Sequence, residues 1–192
     1  LAIHLRLWST FIRMFNRINT FLKRRPLLVS VIGNTAKTAA ADVITQTVIE
    51  RKDELDYKRL GLFTMFGCVY LGGWQYFLFN KAFVNWERQM VMRQYNKVTS
   101  SAVLTFLDLG IHTPFLYFPA FYALKGYVDG QPIKDSIHRF RNNLTDDMVS
   151  MWKVWLPAQF VNFSCVPVYM RMPFITCVSF AWTIILSMQR GN

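Results

Sequence analysis

Long uncharged stretches bracketed by lysine and arginine constrain this chain more than any other feature. Residues 60–80 carry no charge, and Lys58, Arg59 and Lys81 flank them. A helix needs about 20 mainly apolar residues to cross a bilayer. Residues 98–124 form a second such stretch between Lys97 and Lys125. Its one charge is Asp108, and Pro114 and Pro119 predict a kink or an early end in its second half. A third apolar region, 154–189, is interrupted by Arg171 and Pro173. Pro157 and Pro167 predict a short, broken first half over 154–170, which either spans or lies at the interface, ahead of a proper span over 172–189. A fourth candidate, 27–49, follows Pro26, a residue suited to the first helical turn. It carries Lys37 and Asp42. Its polar residues Thr35, Thr38, Asp42, Thr45 and Gln46 share roughly a 100° arc of a helical wheel. That helix spans if the polar arc turns inward, and otherwise lies on the surface.

The first 25 residues differ. They contain no acid, and Arg6, Arg13, Arg17 and Arg24 fall on one stripe opposite Leu7, Trp8, Phe11, Phe15, Ile18 and Leu22. This pattern predicts a basic amphipathic helix along a membrane surface, and it is similar to a mitochondrial targeting segment. The expected organisation is therefore that interfacial helix over 1–25 and an all-α bundle of about four transmembrane helices over 26–192.

Composition agrees with this reading. Charged residues make up 17% of the 192 residues, against about 25% in ordinary soluble domains. The net charge of +11 sits beside apolar runs, an arrangement suited to lipid headgroups and not to nucleic acid. Counted over the flanks and the charged connections 50–59, 81–97 and 125–153, lysine and arginine are nearly balanced between the two sides, so orientation stays open. Cys68, Cys165 and Cys177 sit in apolar segments with no CxxC spacing, which implies neither a disulfide framework nor a metal site.

No catalytic or cofactor motif is present, and His4, His112 and His138 are scattered, so no enzyme is expected. The chemistry lies in polar residues at membrane depth. Ser101, Thr105, Asp108 and His112 form one helical stripe, Asp42 centres another, and Trp152, Trp155, Gln159 and Asn162 share a third face. A carboxylate in hydrocarbon must face the bundle interior or water. Three such stripes line a small aqueous path or hydrogen-bond to one another as packing glue. One turn apart, Asp108 and His112 form either a proton-sensitive pair or a hydrogen-bonded histidine beside the Pro114 break. Gly61, Gly67, Gly72 and Gly73, with Ala39, Ala40 and Ala41, are a close-packing signal.

Trp152, Trp155, Pro157, Gln159, Asn162, Phe163, Val166, Pro167 and Arg171 read W-x-x-W-x-P-x-Q-x-x-N-F-x-x-V-P-x-x-x-R. This pattern resembles the signature of the Mpv-seventeen / 22-kDa peroxisomal membrane protein family. Trp182 with Leu186 and Ser187 resembles its closing motif. Upstream, Arg25-Pro26, Asp42 with Gln46, Arg59 with Gly61, and Gly73-Trp74 with Tyr76 match in order. The chain departs from the family in lacking its Gly-Pro in the second span and in placing Leu109 after Asp108. The resemblance implies a four-span protein of the mitochondrial inner membrane or of peroxisomes, and a weakly selective channel for small solutes. A structural accessory subunit of a larger membrane complex is the alternative. Lipid partners, cardiolipin among them, are expected near Lys23, Arg24, Arg25, Lys58 and Arg59, and no cofactor is expected.

Overall fold

The structure, a computed structural model, describes residues 8, 13, 14, 16, 17 and 19–190, with side chains described through Trp182. Five helices account for nearly all of it: α1 (Pro26–Ile49), α2 (Tyr57–Met92), α3 (Lys97–Val128), α4 (Ile133–Ser164) and α5 (Arg171–Arg190). Among the described residues, α1, α2 and α3 are each long and apolar enough to cross a membrane. Residues 19–24 are helical and lead into Pro26. The stripe predicted over 1–25 rests largely on residues outside the described set. Trp8, Arg13, Met14 and Arg17 are described and exposed.

The helices start where local chemistry tells them to. Pro26 occupies the first turn of α1, Asp56 caps α2 through Arg59 N–H at 2.9 Å, and Asn96 caps α3 through Thr99 N–H at 2.7 Å. The reversals use left-handed residues, Arg51, Gln94 and Gly130.

Three expectations are corrected. Residues 81–92, expected as part of a connection, continue α2, and the connection shrinks to 93–96. Residues 133–153 are likewise helical, as the first half of α4. Pro157 does not break the chain, because it lies inside the continuous helix Ile133–Ser164; the break falls at 165–167, before a short 3-10 turn, Val168–Met170. Proline is tolerated inside membrane helices because neighbours re-satisfy the freed backbone groups.

Each helix packs on the next, and α5 closes the ring against α1. The tightest crossing is α1 on α2. A Cβ at Gly67 would meet Thr38 Oγ1 at 2.5 Å, and one at Gly72 would meet the Val31 Cα at 2.6 Å. Glycine is therefore required at both positions for the backbones to approach. Ser30 Oγ donates to the Gly72 carbonyl at 2.8 Å across the same seam. Gly61, by contrast, faces open space, and Gly73 meets only its own helix at ordinary contact distance.

The apolar core lies where α2, α3, α4 and α5 meet. Phe79 and Phe83 clamp Phe163, the first stacked at 5.6 Å and the second edge-on at 5.4 Å. Leu104, Met172 and Ile175 complete it. Trp155 packs against this cluster, while Trp182 is half-buried on α5.

The two ends of the bundle differ in charge. The described segments 19–25, 81–97 and 165–171 meet at one end and hold eight lysines and arginines against one acid, Glu87. At the other end, 50–59 and 125–153 hold nine against eight.

Candidate functional site: a buried polar relay

The stripe on α3 faces inward. Asp108 is 3% exposed and His112 5%. His112 Nδ1 and Asp108 Oδ1 are 2.9 Å apart, and His112 Nε2 shares a 3.2 Å hydrogen bond with the Tyr70 hydroxyl of α2. On the other side Gln159 Nε2 of α4 donates to Asp108 Oδ2 at 2.5 Å. Asn162 Nδ2 then donates to Gln159 Oε1 at 3.1 Å. Tyr70, His112, Asp108, Gln159 and Asn162 thus form one chain of hydrogen bonds across three helices. In a medium of low dielectric such a chain strengthens each of its bonds.

The backbone around the relay is loosened to present it. From Leu107 to Tyr117 the helix widens to π-type turns, a form frequent at functional sites. Thr113 Oγ1 donates back to the Asp108 carbonyl at 2.9 Å. Pro114 has no N–H to give to the Leu109 carbonyl, which in this wider register would be its acceptor. The Trp152 indole fills the gap, donating to that carbonyl at 3.3 Å.

Towards the basic end the relay continues into unused polar capacity. The hydroxyls of Ser100, Ser101 and Thr105, and Asn162 Oδ1, are buried without a hydrogen-bond partner. Buried polar atoms of that kind are few in native structures, and each calls for an account.

Asp42 does not join this site. It lies at the other end of α1, with Oδ1 2.9 Å from Arg59 Nε and Oδ2 accepting from Gln46 Nε2 at 2.7 Å. Gln46 Oε1 accepts the Asp56 N–H at 2.7 Å, and Arg59 Nη1 bonds both Glu50 oxygens at 2.8 Å. These contacts make a clasp between the end of α1 and the start of α2. Burial alone would push the Glu50 carboxyl up, yet the hydrogen bonds and charge of Arg59, with Lys52, hold it below its ordinary range.

The residues proposed for lipid headgroups fall at opposite ends of α1, so they do not form one patch. Lys23 lies over the Tyr169 ring at 5.1 Å near the start of α1, with Arg24 and Arg25 exposed beside it. Lys58 lies over Tyr127 at 5.2 Å at the far end, and Arg59 is turned into the clasp. Sequence reasoning missed Tyr70 and the pairing of Arg59 with Asp42. It also missed the partner of Lys37, whose Nζ donates to Ser179 Oγ at 2.8 Å between α1 and α5.

The chain is similar to known sequences. The sequence model of the Mpv17 / PMP22 family matches residues 126–187, the stretch that carries Trp152, Gln159, Asn162, Phe163 and Arg171. "Protein SYM1" of Candida albicans is 27% identical over 185 residues, covering 91% of this chain and 95% of the relative. "Mitochondrial inner membrane protein Mpv17" of Caenorhabditis briggsae is 28% identical and covers 92% of each. The protein of the same name from Danio rerio is 21% identical, over 93% and 98%. No solved structure matches.

Proposed function

We propose that this chain, which is similar to the Mpv17 / PMP22 family and to relatives named as mitochondrial inner membrane proteins, resides in that membrane as a gated, weakly selective passage for small solutes or ions with no catalytic step of its own. The observation that carries this reading is the Asp108 relay, with the unpartnered polar atoms beside it. A carboxylate at membrane depth is expensive and marks a pathway by default. The Phe79–Phe83–Phe163 cluster stands next to it as an apolar plug of the kind that gates by excluding water.

Purified protein in planar bilayers is then expected to show discrete conductance. Asp108→Asn shifts the cation-to-anion permeability ratio, and Phe163→Ala raises the open probability. Silence from protein that is demonstrably folded rejects the reading.

A second reading, an accessory subunit of a larger membrane complex, draws on a different observation. Met65, Val69, Trp74 and Phe77 of α2 are all exposed, a surface suited to lipid or to a partner helix alike. Co-migration with a large complex on native gels, at fixed stoichiometry, would favour it over the passage.

A further inference from the structure

The basic end of the bundle holds a second polar centre that the relay does not use. Arg171 is the first residue of α5, yet it is 2% exposed. Its guanidinium lies over the Phe163 ring at 5.3 Å, and Nη2 donates to Glu87 Oε2 at 2.7 Å. Nε and Nη1 have no acceptor. The other Glu87 oxygen takes the Lys97 ammonium, so one carboxylate serves two cations. A buried cation with spare donors is costly unless negative charge shares the site.

Arg171, Lys97 and Glu87 line an open groove of about 510 Å³, together with Arg88, Cys165 and Val168. The groove therefore holds three cations and one acid. Arg171 forms the buried floor, Arg88 is exposed at the rim, and Lys97, also exposed, is held by Glu87. The groove lies where α2 stops and α3 starts.

We propose that this groove binds a phosphate group, supplied either by an anionic phospholipid headgroup or by a free phosphate anion. Guanidinium recognises tetrahedral oxyanions through several N–H donors at once, and ammonium adds point charge. Glu87 is the internal competitor that an incoming phosphate displaces from Lys97 and Arg171. The proposal stands whether or not the bundle conducts.

The test uses the full chain in two kinds of nanodisc. In phosphatidylcholine alone, inorganic phosphate is titrated calorimetrically. In phosphatidylcholine mixed with phosphatidylglycerol, retained lipid is counted by native mass spectrometry. Saturable phosphate binding in the first arm identifies a free anion, and stoichiometric retention of phosphatidylglycerol in the second identifies a headgroup. In either case the Arg88→Gln/Lys97→Gln double variant, both positions being exposed and outside the core, weakens binding at least tenfold. Glu87→Gln, which removes the competitor and keeps a hydrogen-bond acceptor, tightens it several-fold. Absence of binding in both arms, or binding indifferent to the double variant, overturns the proposal.

Discussion

Asp108 has both oxygens engaged, by His112 on its own helix and by Gln159 on the next. Removing it leaves two buried polar partners with nothing to bond. Asp108→Ala is therefore expected to lower stability by about 2–3 kcal/mol, while Asp108→Asn keeps an acceptor and costs less. Unfolding in a mild detergent, followed by tryptophan fluorescence, separates the two. Glu50 gives a pH test at the opposite end. Its carboxyl, lowered by Arg59 and Lys52, binds protons less readily when folded than when unfolded. The stabilisation is complete above the ordinary value of 4.5 and is lost as the pH falls through the lowered one. The thermal midpoint of the wild type should fall on acidification through that window, and Glu50→Gln should flatten the slope.

Element by element, the crossing of α1 and α2 rests on Gly67 and Gly72. Gly72→Ala puts a methyl group at 2.6 Å from a backbone carbon that cannot give way, so the helices must part. The expected loss is about 1–3 kcal/mol. A cysteine pair across the seam should also crosslink more slowly in the variant. A change of equal size at Gly61, which faces open space, should do almost nothing. The sequence marked all of these glycines alike, because spacing alone does not say which face meets a neighbour. The inward stripe of α3 was legible, since Asp108 and His112 recur on one face and charge in hydrocarbon has to turn inward. That Gln159 completes it follows only from how α3 and α4 pack. Residues 81–92 and 133–153 read as loops because they are polar, yet polarity marks where a helix leaves the bilayer and not where it stops. Pro157 misled for a related reason: in a packed membrane helix its lost hydrogen bond is tolerated.

For the whole molecule, the alternating directions of the helices put Arg93 and Arg141 at opposite ends of the bundle, both exposed. In sealed vesicles holding the protein in one orientation, external trypsin should cut at one of these sites and spare the other. Cleavage at both in intact vesicles would refute the arrangement; mass mapping of the fragments decides. The number of apolar runs fixed the scale of this bundle early. Its pairing of partners across helices, such as Arg59 with Asp42 and Arg171 with Glu87, was hidden because the residues are far apart in sequence.

Those two ion pairs have a mechanical consequence. Arg59 sits near the start of α2 and Glu87 near its end, roughly 40 Å apart at 1.5 Å of rise per residue. The helix is tied to α1 at one point and to the start of α5 at the other, so it behaves as a strut of set length. A bilayer thicker than the strut's apolar section must thin around it, because the protein cannot stretch without parting a buried pair. Lipid thickness is then a force the molecule feels directly, and one that helps determine in which membrane it rests without strain.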